Sequence, residues 1–254
     1  MVKIDRTGEE AYNNFGSKMV ICRYKMNRDL DVFFPEYNWY GKNMSYNNFK
    51  NGQIKCPYEP RVYGVGYLGE GKYKISENGK HTKEYSVWSA MLSRCYSEKR
   101  QEKRPTYKGC IVCEEWLNFQ NFAKWYDENY YGVNNEIMCL DKDILVHGNK
   151  IYSPETCLIV TERINIIITS KKNKNNNEPK GIRFKSHGYE VRCYDVNGTS
   201  MYLGFFKTID EAFKVYKKFK ERIIKQVADE YYSEGLIPKK VYEALYNYEV
   251  LITD

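Results

Sequence analysis

No stretch of this sequence approaches the ~20 consecutive apolar residues that a membrane-crossing helix needs, so no membrane partner is expected. Residues 1–10 are polar and lack the apolar core of a signal peptide, which makes the cytoplasm the expected location. In that reducing compartment the eight cysteines are expected to serve as small core residues and not as a disulfide scaffold. P-loop, GxSxG and HExxH patterns are all missing, which removes the chemistries those motifs carry. A second CxxC is missing too. Cys110-x-x-Cys113 stands alone, with Cys139 and Cys157 later, whereas two such knuckles would mark a Cys₄ zinc site. In a strand Cys110 and Cys113 would point to opposite faces, so they read as buried thiols and zinc is not expected.

What is present is positive charge, and it is concentrated. The 254 residues carry a formal charge of +7. Residues 171–225 hold 14 Lys and Arg against 6 Asp and Glu, which leaves 26 against 27 in the remainder. The whole excess therefore lies in one segment, as an electrostatic footprint for phosphate would.

The length suits two or three small domains, and the composition reads as α+β with a modular order. Residues 1–70 read as a β-rich domain. Alternation at 18–24 and 29–34 predicts paired strands, and Tyr46, Phe49 and Ile54 are expected to complete a small barrel or meander. Its Lys and Arg are not clustered, so it reads as a brace. A second domain is expected over 71–169, with helices over 83–96 and 118–130. Tyr85, Trp88, Met91, Leu92 and Cys95 fall on one side of the first, and Phe119, Phe122, Ala123 and Tyr126 on one side of the second. Residues 170–178, SKKNKNNNE, have no periodicity and read as a linker. A last domain occupies 179–254.

Within it, 181–185 and 189–194 alternate apolar and polar residues, and Asn197-Gly198 offers a turn before a third strand at 201–205. Thr208-x-x-Glu211 is a capping box, followed by Ala212, Tyr216, Phe219 and Ile223 at helical spacing. Gly235 is expected to stop the helix, and Pro238 to start a final short one. Ile182, Phe184, Tyr189, Val191, Cys193, Met201 and Leu203 are expected to face that helix. Arg183, Lys185, Glu190, Arg192, Tyr194 and Tyr202 are expected on the opposite, outward surface.

The run Gly181-Ile-Arg-Phe184, then Tyr189-x-Val191, then Tyr202-Leu-Gly-x-Phe206-x-Thr208-x-x-Glu211-Ala-x-x-x-Tyr216 resembles the AP2 DNA-binding domain, in the form found in bacteriophage homing endonucleases. The resemblance covers about 45 residues. It implies double-stranded DNA as the partner, read in the major groove by Arg183, Lys185, Arg192 and Tyr202, with Tyr194 a further DNA-binding candidate on the same outward face. The plant-type pattern has Arg where Tyr194 stands, so a base preference does not carry over.

The run Leu140-Asp-Lys-Asp-Ile-Leu-x-x-Gly-Asn149-x-x-Tyr-Ser-Pro-Glu-Thr-Cys157 resembles the HNH-type motif of phage endonucleases. That resemblance implies a hydrolase site that cleaves DNA with a divalent metal such as Mg²⁺. Its catalytic candidates are Asp141, Asp143, His147, Asn149 and Asn165, with Asp141 and Asp143 as metal ligands. The usual general base is a histidine at the position of Asp141, and a carboxylate near its ordinary pKa of ~4 is a weak base. His147 is the only imidazole nearby. Loop-capping carboxylates are the alternative role for Asp141 and Asp143. The sequence reads as a homing-endonuclease-like double-stranded DNA-binding protein; the alternatives are a non-catalytic DNA-binding regulator and a protein that binds a host protein through its Tyr-rich first half.

Overall fold

The computed structural model describes residues 4–133, 135–169 and 178–253. The fold is α+β and divides into two compact units, Met1–Glu128 and Asn129–Asp254. No helix among the described residues is long and apolar enough to cross a membrane.

The first unit opens with an antiparallel meander of β1 (Glu10–Tyr12), β2 (Lys18–Met26), β3 (Asp29–Phe34) and β4 (Trp39–Met44), hydrogen-bonded in sequence order. Alternation works as expected here: Met19, Ile21, Leu30, Val32 and Phe34 are fully buried on one face. The expected extension through Tyr46 is a helical turn instead, Tyr46–Lys50. Ser45 caps it by accepting from the Asn48 N–H at 3.1 Å, and Phe49 drops from it into the meander core. Two longer helices follow, α1 (Lys83–Tyr96) and α2 (Phe119–Asn129). Trp88, Trp116, Phe119 and Phe122 are all fully buried beside them. The Trp88 indole N–H donates to the Trp116 carbonyl at 2.7 Å, which satisfies its one polar atom.

The boundary expected near residue 70 falls inside this unit. Residues 57–71 are tied to the helical segment by backbone bonds: the Tyr67 N–H donates to the Leu117 carbonyl, and the Phe119 N–H to the Tyr67 carbonyl, each at 2.9 Å. The Gln120 side chain adds bonds to the Leu68 and Tyr73 carbonyls. Proline and glycine at such spacing mark turns, and here the turns lie between packed pieces of one unit.

The second unit contains a two-stranded antiparallel ladder, β5 (Met138–Asp141) with β6 (Leu158–Thr161), and α3 (Glu162–Thr169). After it comes an antiparallel sheet of β7 (Ile182–Lys185), β8 (Gly188–Tyr194) and β9 (Ser200–Phe206), in that spatial order. Helix α4 (Ile209–Ser233) crosses behind the sheet, and α5 (Lys239–Tyr246) follows. The capping box at Thr208 and Glu211 is made in both directions. At the far end Gly235 adopts φ +68°, and the Leu236 N–H reaches back to the Tyr231 carbonyl at 2.8 Å, closing the helix in the left-handed manner glycine favours.

One core runs through this unit. Leu158, Val160, Ile164 and Ile168 belong to the same buried cluster as Ile182, Val191, Tyr216, Val227 and Tyr231. The segments on either side of the expected linker are therefore not separately cored. Of that linker, residues 170–177 lie outside the described residues. The length of α4 explains the merger. At ~1.5 Å per residue its 25 residues reach well past a three-stranded sheet, and the C-terminal half carries Val227, Ala228 and Tyr231 into a second layer of contacts. Arg163 on α3 donates to Glu230 at 3.0 Å, and the Tyr231 hydroxyl donates to Glu136 at 2.6 Å.

Candidate nucleic-acid interface

The register of the sheet fixes which side chains share its outward face. Arg183 stands opposite Glu190, Glu190 opposite Phe205, Arg192 opposite Tyr202, and Tyr194 opposite Ser200. Directly paired residues project to the same side. Arg183, Lys185, Arg192, Tyr194 and Tyr202 are thus brought together on one exposed face, with Tyr194 61% and Tyr202 57% accessible. Arg192 donates to Glu190 at 3.3 Å, and its guanidinium carbon lies 5.7 Å from the Tyr202 ring centroid. Glu190 offsets one of three cations, so the face keeps an excess of positive charge.

The inward face needs two corrections. Ile182, Val191 and Cys193 are buried, and Tyr189 and Leu203 are half-buried against the core, but Phe184 and Met201 are exposed. Phe184 stands near the end of its strand and packs edge-on against Tyr189, with centroids 5.3 Å apart. Met201 lies at the start of β9, next to the 195–199 turn. A single helix covers the middle of the sheet and leaves these ends open.

The face also contains an aromatic ring that simple alternation assigns to the core. Val191 pairs with Gly204 and Arg192 with Tyr202, so Leu203 has no opposite number and the register slips by one. This bulge turns Phe205 outward, where it is 48% exposed. Its ring lies against Gly188, where a Cβ would stand 2.5 Å from the Phe205 ring. The signal was available: Gly204 has φ +138°, and an isolated glycine inside a strand pattern marks a bulge. Lys217, on α4, is not a free phosphate contact, because it is ion-paired with Glu249 and with Glu221.

The expected catalytic residues lie in and around the 141–157 loop. The Asp141 carboxylate is buried and accepts from the N–H groups of Asp143, at 2.8 Å, and Ile144, at 2.9 Å. Burial pushes its pKa up, and the two N–H groups oppose that shift. Lys142, which the sequence did not single out, is buried beside it. Its ammonium donates to Asp143 at 2.6 Å and to the Asn149 carbonyl at 2.5 Å. The Asn149 amide donates to the carbonyls of Lys142 and Ile151 and accepts from the Ile151 N–H at 3.0 Å. The structure thus brings Asp141, Asp143 and Asn149 together, but as the internal bracing of a loop. The His147 ring lies against Tyr248, with centroids 4.7 Å apart. Asn165 stands on α3, where its carbonyl accepts from the Thr169 hydroxyl at 2.6 Å.

These placements do not suit a Mg²⁺ ion. One oxygen of Asp141 is committed to two backbone donors, and Asp143 faces an ammonium. No group of three or more His, Cys, Asp or Glu able to hold a metal occurs among the described residues. Comparisons with protein-family models, with curated proteins and with solved structures found no match to this chain.

Proposed function

We propose that the chain binds double-stranded DNA through the outward face of β7–β8–β9 and reads base sequence there, without cutting the DNA. One observation carries the proposal: Arg183, Lys185, Arg192, Tyr194 and Tyr202 converge on one exposed face backed by a 25-residue helix. Three strands at a spacing of ~4.8 Å span about 10 Å between the outer two, within the ~12 Å width of the major groove. Arg183 and Arg192 sit on neighbouring strands and are the bidentate readers of guanine. Lys185 supplies a phosphate contact, and Tyr194, Tyr202 and Phe205 contact base edges and sugar. The likeness of Gly181–Tyr216 to the AP2 domain of phage homing endonucleases supports the same surface in the same role.

What supports binding without cleavage is how the 141–157 loop uses its polar groups. Asp141, Asp143 and Asn149 are engaged in holding the loop, so the non-catalytic regulator is preferred to the nuclease. Selection of bound sites from random duplex DNA tests the central proposal. A consensus containing at least one guanine that depends on Arg183 or Arg192 is expected. Recovery of no consensus, together with no retention on duplex DNA at low salt, would point to a protein partner instead. Nicking of supercoiled DNA in Mg²⁺ or Mn²⁺ that is lost in His147→Ala would restore the nuclease.

A further inference from the structure

Beside the reading face the second unit has a cleft of about 1380 Å³. Its rim includes Arg183, Arg192 and Tyr194 from the outward face, and one wall is formed by Ile166 and Ile167 of α3. Tyr216, Lys220 and Ile223 of α4 also line it. The cleft therefore begins where the proposed DNA surface ends, past the Gly181 end of β7.

Three features define what it would hold. The volume exceeds the roughly 300–1,000 Å³ of an ordinary small-molecule pocket, so there is room for a ligand that stays attached to a larger body outside. The charge is mixed: Arg163, Lys180, Arg183, Arg192 and Lys220 are countered by Glu136, Glu162, Glu190 and Asp195. A continuous run of phosphates would meet those carboxylates, whereas a nucleobase carries both donors and acceptors and matches them. Apolar walls with the rings of Tyr194 and Tyr216 suit the faces of a base, which stack on aromatic or aliphatic side chains. Lys220 lines the cleft and is 6% exposed; burial lowers its pKa, and its Nζ–H groups are donors suited to a base carbonyl.

We propose that this cleft receives one extrahelical nucleotide of a DNA duplex held on the outward face. The inference rests on the DNA-binding function proposed above. It goes further in assigning α3 and the floor of α4 to the same interaction, and in making unpaired bases the favoured substrate.

The test uses the full chain at one fixed salt concentration and two duplexes of equal length carrying the same selected site. One is perfectly paired, and the other has a single unpaired 2-aminopurine beside the site. The bulged duplex is expected to bind on the order of tenfold tighter, the equivalent of one good additional contact. The 2-aminopurine emission is expected to change on binding, because the base leaves its stacked neighbours. Ile166 is 60% exposed, so Ile166→Trp fills the cleft mouth without disturbing the core. It is expected to abolish the preference in competition binding while leaving affinity for the perfect duplex unchanged. Lys220→Met, checked for folding by circular dichroism, is expected to reduce the preference as well. Equal affinity of the wild type for both duplexes overturns the cleft assignment, and so does a preference that survives Ile166→Trp, which would reflect the flexibility of bulged DNA. Failure to bind either duplex removes the DNA-binding function itself, and the perfect duplex is the arm that distinguishes that failure.

Discussion

Gly181 makes the closest approach among the glycines of the second unit, and replacing it by alanine measures how tightly the sheet is held to α4. Gly181 has φ +72°, a left-handed conformation that costs an L side chain about 1–2 kcal/mol. A Cβ there would stand 2.3 Å from the Tyr216 ring and 2.4 Å from the Arg192 carbonyl oxygen. Neither neighbour moves freely. Tyr216 is 4% exposed in the core, and Arg192 is fixed by its own N–H, which donates to the Gly181 carbonyl at 2.8 Å. Overpacking of this kind adds about 1–3 kcal/mol, for a total near 3 kcal/mol. Gly198 is the control, since it has φ +78° but nothing within 4 Å of its Cβ position. Gly198→Ala should therefore show only the backbone cost. In thermal unfolding followed by circular dichroism, Gly181→Ala is expected to lower the midpoint by roughly 6–12 °C, at ~2–4 °C per kcal/mol for a chain of this size. Gly198→Ala is expected to lower it by about half as much or less. Equal midpoints for the two variants would mean that β7 and Tyr216 do not meet as described.

Arg192→Ala is expected to weaken binding to a selected site by about 1–3 kcal/mol, some 5- to 150-fold, and to change affinity for random duplex far less. Lys218→Ala, on the exposed side of α4, should weaken both slightly and equally; competition binding at fixed salt separates the two effects. A fragment 129–254 is expected to fold and retain salt-dependent duplex binding, whereas 171–254 should be unfolded by circular dichroism. The shorter piece lacks Leu158, Val160, Ile164 and Ile168, whose burial at ~1.5–3 kcal/mol each matches most of the stability of a domain. Asp141→Asn keeps the oxygen that accepts from Asp143 and Ile144 and removes a buried charge. Because burial raises the Asp141 pKa in the folded state, stability falls as pH rises from the ordinary carboxylate value to the raised one, and the penalty persists above it. Asp141→Asn should therefore be at least as stable as wild type in urea at pH 7, with the advantage disappearing below pH ~4. Lower stability of Asp141→Asn at pH 7 would show that the loop needs the charge.

The local pieces were legible from residue patterns because each is decided by neighbours in the chain. The capping box at Thr208 and Glu211, the stop at Gly235 and the strands around Asn197-Gly198 all rest on contacts within a few residues. The basic outward face of the sheet was legible for the same reason, since strand alternation places Arg183, Lys185, Arg192, Tyr194 and Tyr202 on one side. Phe205 was not, because the bulge at Leu203 shifts alternation by one. The polar loop at 141–157 was legible as a cluster but not in its use. Whether a carboxylate caps a backbone or binds a metal depends on the N–H groups around it, and those are set by the folded loop.

Residue patterns alone specify an α+β chain, an antiparallel meander at its start, and a basic, aromatic sheet surface near its end. Where one unit stops and the next begins is set by long-range packing. Boundaries were read from glycine, proline and charge, which report where the backbone turns or is solvated. They do not report which apolar faces meet across the turn. Here α4 is long enough to bury Val227 and Tyr231 in the same core as Val160 and Ile164, so the segments before and after residues 170–177 became one body. The same packing left the cleft beside Lys220, a void that no local pattern of residues specifies.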